Sequence, residues 1–411
     1  MVVDDTPSAI SLLEDILQKR GCHVSSFSRG GMALAAAAVQ PPDLILLDIT
    51  MPEMNGYEVC ERLKADEKTR EIPVIFISAL NEDMDKVKAF GCGGVDYVTK
   101  PFQFREVYAR VQTHLELRRQ KRGLQESHAR LHHKHQQMQA DLDLAREIQM
   151  GLLPRQFPTF PRGVAKQESA LTFCGHYQPA ASLGGDFYQV MALSNSMAGV
   201  LVCDVMGHGV RAALVTGMIR GLMEELCNPA TNIASDPGGM MTRVNHSLFD
   251  ILKQANTTLF VTAFYLVADV ARGHIRYANA GHPSPLLVRR SQAIVEPIGD
   301  DGEGGPVLGM FEDAVFPSCQ RPITDDDLVL LFTDGVFEVE SPDRQIYGVE
   351  RLQEAVRERL RLPADELLGE IVAEIQQFSQ PRGFVDDVCL VGMEVAHVGG
   401  CAADAPGHPR Q

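Results

Sequence analysis

Short apolar runs separated by amphipathic stretches open the chain. "VV" at 2–3, "DLILLD" at 43–48, "VIFIS" at 74–78 and "VDYVTK" at 95–100 read as buried strands. The segments between them are rich in Ala, Leu, Glu and Lys. This rhythm predicts an α/β domain over residues 1–115, with a five-stranded parallel, doubly wound sheet covered on both faces. From His114 to Leu152 the pattern becomes that of one long helix. Leu117, Leu124, Leu131, Met138, Ala145 and Leu152 recur every seven residues. The companion row holds Lys121, His128, His135 and Gln149, with only Leu142 apolar. Half a coiled-coil seam is marginal in one chain and suits a homodimer, so residues 116–152 are expected to be a helical linker. Pro154, Pro158 and Pro161 end it.

Residues 165–396 alternate period-2 runs ("GVLVCDV", "TLFVTAFYLVADV", "DLVLLFTDG", "VCLVGMEV") with helical patterns near 212–227, 236–253 and 349–378. They predict an α+β domain over 153–397. The closing stretch 398–411, "GGCAADAPGHPRQ" at its end, reads as a disordered tail.

Composition narrows the function classes. The 411 residues are 45% hydrophobic and 22% charged, with a formal net charge of −16. That acidic balance argues against DNA as the main partner. The stretch from Arg105 to Lys134 is locally basic, with eight Lys or Arg against three Glu, and reads as a solvated helix face. Nine cysteines without a C-x-x-C pair point to reduced thiols, not to a disulfide framework or zinc site. No basic-then-apolar leader opens the sequence and no apolar run reaches membrane-spanning length, which predicts a cytoplasmic protein without membrane contact.

Candidate chemistry gathers at strand ends. Asp4 and Asp5 follow the first apolar run, Asp48 ends the second, Ser78 the third, and Lys100 closes "VDYVTK". Loops at the carboxyl ends of parallel strands share one rim, so these side chains can converge. Close carboxylates repel unless a cation joins them, and Mg²⁺ suits such oxygen ligands. The lysine and hydroxyl would then hold the oxygens of a phosphoryl group carried by one acid.

Taken in order, "VDD", "LLDITMPEMNGYEV", "ISA" and "KPF" make this stretch resemble the receiver domain of two-component response regulators. The resemblance implies that Asp48 is the phosphoacceptor, served by a sensor histidine kinase. Asp5, with Asp4 behind it, and the Thr50 carbonyl would help hold Mg²⁺ beside Asp48. Ser78 and Lys100 would sense the phosphoryl group, Tyr97 would be the rotating aromatic of the output face, and the Lys100–Pro101 bond would be cis. Three residues before Asp4 make a first strand shorter than that family's usual one, which points to a weakened strand or an incomplete start.

The rear half also ends its runs on acids: Asp186 in "LGGDFYQ", Asp204 in "VCDVMGHG", Asp334 in "LFTDGVFE", and Asp386 with Asp387 in "FVDDVCL". No G-x-S-x-G elbow, C-x₅-R loop or P-loop accompanies them. Asp-Gly and Gly-Gly-Asp are also common turn elements, but four such sites together favour a pair of Mg²⁺ or Mn²⁺ ions over structural turns. Such a pair acidifies a water and clamps oxygens during displacement at phosphorus. Gly207 and Gly209 would allow close backbone approach. "GGDFY" lacks the second acid of the cyclic-dinucleotide synthase signature.

"AREIQMGLLP", "GGDFY", "DVMGHGVRAAL", "TLFVTAFY", "ANAGHPSPLL", "LLFTDGVFE" and "DDVCLV" together resemble the metal-dependent type 2C serine/threonine phosphatases, more closely their bacterial sporulation-II-E and sigma-regulator branch. The implied fold is a two-sheet β-sandwich flanked by helices. Asp204 would bridge two metals, Asp186 and the Val205 carbonyl would complete one, and Asp334 and Asp386 the other. Gln189 stands where the family often has another aspartate, which implies a weaker third metal, and Cys389 replaces a threonine. His208 and His282 are candidate proton donors to the leaving oxygen.

Together the two resemblances imply a response regulator that dephosphorylates phosphoserine or phosphothreonine on a partner such as an anti-sigma-factor antagonist, with the helix carrying the signal from Asp48. The rival reading is a non-catalytic adaptor that binds a sigma factor or anti-sigma partner through a phosphatase-like half.

Overall fold

The computed structural model describes residues 1–78, 83–101, 103–227, 233–299 and 304–399, with the backbone alone at 83–86. Ala79 of "ISA", Phe102 of "KPF" and residues 400–411 of the expected tail lie outside the described residues. The chain forms two compact units that divide after Gln136.

In the first unit, β1 (Val2–Val3), α1 (Pro7–Gln18), β2 (Ser26–Phe27), α2 (Gly30–Val39), β3 (Ile45–Asp48), α3 (Gly56–Ala65), β4 (Val74–Ser78), α4 (Asp83–Gly91) and β5 (Asp96–Thr99) alternate before α5 (Phe104–Leu152). The strands are parallel in the order β2-β1-β3-β4-β5. Alternate side chains explain the uninterrupted apolar runs. Val3, Ile45, Leu47, Val74 and Phe76 pack under α2 and α3, whereas Val2, Leu46, Ile75, Ile77 and Val98 pack against α1 and the start of α5. Full burial of each such side chain is worth about 1.5–3 kcal/mol. Although only two residues long, β1 is fully buried and paired on both sides. No apolar run announced β2, because its Ser26–Phe27 pair is half-buried and half polar.

α5 begins at Phe104, not at His114 as the change in composition suggested. Val107 and Val111 seat its first turns on the sheet, and no breaker separates them from the rest of the helix. Arg118 Nη1 donates to the carbonyls of Pro42 at 2.8 Å and Asp43 at 2.7 Å, fixing this part of the helix to the first unit.

In the second unit, β6 (Leu171–Gln178), β7 (Asp186–Ala192) and β8 (Met197–Val205) lead into α6 (Val210–Leu226) and α7 (Pro237–Gln254). β9 (Val261–Asp269), β10 (His274–Ala280), β11 (Leu286–Arg289), β12 (Ile294–Pro297), β13 (Cys319–Pro322) and β14 (Asp327–Phe332) come next, then α8 (Val349–Glu358), α9 (Ala364–Ser379) and β15 (Val388–Val395). Two antiparallel sheets result, ordered β13-β10-β9-β8-β7 and β12-β11-β14-β15-β6. Their facing side chains, among them Val202, Phe264, Tyr277, Val329, Leu331 and Val391, form the sandwich core. α6 and α7 cover the outer face of the first sheet, and α8 and α9 that of the second. The single helix expected over 349–378 is two, because Pro363 cannot continue α8 and instead precedes α9.

Candidate active site

Each unit collects acids at strand ends. In the first, Asp4, Asp5 and Asp48 place one carboxylate oxygen each within 4.8 Å of one another. Lys100 Nζ reaches Asp4 at 2.8 Å and Asp48 at 3.2 Å. Burial, reinforced by Asp4, pushes the Asp48 carboxyl up to about 6 despite the lysine. The loop after Asp48 is shaped by Gly56, whose added Cβ would collide with the Asp48 carbonyl. Asn55 caps α3 by accepting from Glu58 N at 2.9 Å. Ser78 is buried at the end of β4, Thr50 lies exposed after Asp48, and the Lys100–Pro101 bond is cis. Tyr97 is half-buried, edge-on to Phe90 at 6.1 Å and with the Arg110 guanidinium 5.8 Å from its ring.

In the second unit, Asp186 and Asp204 are direct partners in the β7–β8 register. Asp334 opens a short 3₁₀ turn after β14, and Asp386 precedes β15 in the facing sheet. Thr333 joins the sheets. Its Oγ1 donates to Asp186 Oδ2 at 2.6 Å and accepts from Cys389 N at 3.1 Å. Burial pushes Asp186 well above the usual carboxylate range, with Asp204 adding to it. Burial also takes Asp204 to about 7, helped by Asp334, Asp386 and Asp387, and raises Asp334. Among the described residues no cationic side chain forms an ion pair with these acids, in contrast to Lys100 in the first unit.

The two members of the final acid pair do different work. Asp387 is buried, and its carboxylate accepts from Ala180 N at 2.8 Å and Gly185 N at 2.5 Å, tying the "GGD" turn to the second sheet. Asp386 is exposed at the cleft and, among the described residues, accepts only from Asp387 N, at 2.8 Å. Of the two, Asp386 therefore has the less engaged carboxylate. An anchoring role for Asp387 was not anticipated.

The donor set fits divalent cations of the hard kind: carboxylates, backbone carbonyls and no thiolate or imidazole among them. A Cβ on Gly185 would lie 2.6 Å from the Val205 carbonyl oxygen, 2.8 Å from that of Gly207 and 3.4 Å from Asp204 Oδ1. Only glycine leaves that oxygen-lined cradle open. The acids here are more widely spread than in the first unit, since among the described residues only Asp4, Asp5 and Asp48 close to within 4.8 Å as a trio. Mutual repulsion favours such spacing, and ions shared between acids do not require all four around one point. Gly185→Ala should weaken Mn²⁺ binding by about tenfold or more while the protein stays folded, as read by calorimetric titration.

Two expectations change. Gln189 shares its β7 face with Phe187, which packs under α6, opposite to the face of Asp186. It is not a vacated third-metal position in the cleft. His282 is buried: its backbone N donates to Asn279 Oδ1 at 2.8 Å, and its Nδ1 contacts Thr262 Oγ1 at 2.9 Å. Burial holds its pKa near 3, so it is neutral at pH 7 and serves the "ANAGH" turn, not proton delivery. His208 is exposed in the glycine loop after Asp204.

Gln149, expected in the coiled-coil row, is buried near the end of α5. Its Nε2 donates to the Gly184 carbonyl at 2.7 Å, and its Oε1 accepts from Gly184 N at 3.2 Å. The helix thus grips the residue two before Asp186. Lying in a heptad row that is polar at Lys121, His128 and His135 as well, it carried no sequence signal of its own.

An aspartate-lysine pocket at the end of a parallel sheet and a two-sheet sandwich with an acidic cleft make up the two units of the chain. Known proteins agree. The response regulator receiver domain matches residues 1–112, and the stage II sporulation protein E family matches residues 194–396. The phosphoserine phosphatase RsbP of Bacillus subtilis is 28% identical over 62% of this chain and 58% of its own length. The transcriptional regulator RpaA of Synechocystis is 40% identical over 27% of this chain and 46% of its own length. The chain spans about half the length of these curated relatives. The SiaA-PP2C domain of Pseudomonas aeruginosa shares the fold, with a TM-score of 0.53, 21% identity and coverage of 64% of this chain and 98% of that one. The chain is a response regulator receiver domain joined to a SpoIIE-type PP2C phosphatase domain.

Proposed function

We propose that this chain is a two-component response regulator whose output is metal-dependent dephosphorylation of phosphoserine or phosphothreonine on a partner protein, with an anti-sigma-factor antagonist as the partner class. The observation that carries this reading is the meeting of Asp186, Asp204, Asp334 and Asp386 at the edges of two sheets, without a balancing cationic side chain among the described residues. Two Mg²⁺ or Mn²⁺ ions held by them and by the Val205 carbonyl would supply the Lewis acidity for phosphoester hydrolysis. Thr333 fixes the Asp186 carboxylate, and Asp387 fixes the turn that presents it. The name and similarity of RsbP support the phosphoserine specificity.

Control falls to Asp48, phosphorylated by a sensor histidine kinase with Mg²⁺ at Asp4, Asp5 and the Thr50 carbonyl, and read by Ser78, Tyr97 and Lys100. The linker over 116–152 would carry the change. Leu117, Leu124, Leu131 and Met138 are each more than half exposed, a row that a second copy would cover in a homodimer. No helix among the described residues is long and apolar enough to cross a membrane.

The test is Mn²⁺-dependent release of phosphate from phosphorylated antagonist proteins by wild type and Asp48→Ala, each with and without acetyl phosphate. A rate in the wild type that responds to the phosphodonor, and a rate in Asp48→Ala that does not, is the expected result. Hydrolysis indifferent to both would remove the coupling. Absence of hydrolysis in every arm, with partner binding intact, would establish the adaptor reading.

A further inference from the structure

We infer that the middle of α5 carries a binding site for a divalent transition-metal ion of the nickel, copper or zinc type, clamped by His128 and His132. Four of the chain's 13 histidines, His128, His132, His133 and His135, fall within one short stretch of this helix. The helix is continuous from Phe104 to Leu152, so His128 and His132 stand one turn apart on the same face. His135 lies on the following turn of that side, and His133 is turned away from it.

All four rings are exposed, and no carboxylate among the described residues pairs with them. The nearest acid, Glu126, is engaged by Arg122 at 3.5 Å. Gln136 Nε2 lies 3.1 Å from His132 Nε2. An amide nitrogen can only donate, so His132 Nε2 is the acceptor there, and a metal would take its lone pair in place of the Gln136 amide.

Donor chemistry separates this site from the acidic ones. Two imidazoles with no carboxylate or thiolate paired to them among the described residues favour borderline ions and give Mg²⁺ little. A clamp across one turn also stiffens the last part of the first unit, where Leu124 and Leu131 leave the helix without apolar cover. The inference does not depend on the phosphatase reading.

The experiment is calorimetric titration of the full-length protein with Ni²⁺ in saturating Mg²⁺, which keeps the acids occupied. Hydrogen exchange of the helix is followed in parallel. One binding event is expected, weakened by about tenfold or more in His132→Ala because one arm of the chelate is lost, and unchanged in His133→Ala. Exchange around residues 128–136 should slow on loading. Both substitutions place the best helix former at an exposed helical position, so α5 is retained. Equal Ni²⁺ binding by wild type and His132→Ala, or an equal loss in His133→Ala, would overturn the site.

Discussion

Replacing Asp204 with asparagine is expected to lower cation-dependent hydrolysis by about 10²-fold or more, and to raise the melting temperature of the cation-free second unit. The two effects have one cause. Asp204 is taken to about 7 by burial and by the neighbouring acids, so its ionised form is held at a cost unless a cation offsets it. Asparagine keeps the shape and removes the charge. The cleft relaxes, and the proposed bridging ligand is gone.

Linkage sets the sign of the pH dependence. A carboxyl raised in the folded protein binds more protons there than in the unfolded chain between its two pKa values. Cation-free stability should therefore fall as pH rises from about 4 to about 7 and level off above. Asp186 and Asp334 are shifted in the same direction and steepen the slope. At pH 8 with chelator, the Asp204→Asn gain is of the order of 2 kcal/mol, or about 5 °C in a domain of this size. The gain should shrink as the pH is lowered towards 4. Saturating Mn²⁺ should reverse the ranking, because the wild type alone keeps the full ligand set. Thermal unfolding of both proteins, with EDTA and with Mn²⁺ at pH 5 and 8, checks all of this. An Asp204→Asn variant no more stable than wild type at pH 8 in EDTA would contradict the account.

The legible and illegible parts of the chain divide along physical lines. The parallel sheet was legible because strands buried on both faces are uninterrupted apolar runs, as in "DLILLD" and "VIFIS". β2 was not, being two half-buried residues that owe their place to β1. In the second unit β15 was read to the residue, whereas β6, β7, β10, β12 and β13 went unread because polar residues interrupt their apolar positions, and β11 because its apolar run is only three residues long. The acids of the cleft stood out through their glycine neighbours. Their supports did not. Thr333 and Asp387 act through a hydroxyl and a carboxylate turned towards backbone or another acid across the sandwich, and no local pattern encodes that partner. Gln149 was hidden among the other polar residues of its heptad row. Its role differs from theirs for a reason: by that turn Leu142, Ala145 and Leu152 are half-buried instead of exposed, and the helix has changed partners.

That change of partners yields the second large effect. Gln149→Ala should raise the Mn²⁺ concentration needed for half-maximal hydrolysis by about tenfold or more, because supports of metal ligands cost that much when lost. The amide satisfies both backbone groups of Gly184, and alanine leaves a buried N–H and C=O without a partner, at about 1–3 kcal/mol for each. A Cβ on Gly184 would meet Asp387 Oδ2 at 2.5 Å and the Tyr177 hydroxyl. The turn is also held by Gly209 N donating to the Leu183 carbonyl at 3.1 Å, so removing the helix's grip shifts Asp186 without unfolding the sheets. Gln149→Glu separates positioning from packing. It keeps the size and the acceptor for Gly184 N, but sets a carboxylate oxygen against the Gly184 carbonyl. If Gln149 positions Asp186, the glutamate variant should impair Mn²⁺ dependence at least as severely as the alanine variant. If the residue only fills space, the glutamate variant should behave as wild type. The same contact gives the helix a direct lever on the cleft: a small rotation near Gln149 moves Gly184, then Asp186, before any distant part of the sandwich need respond.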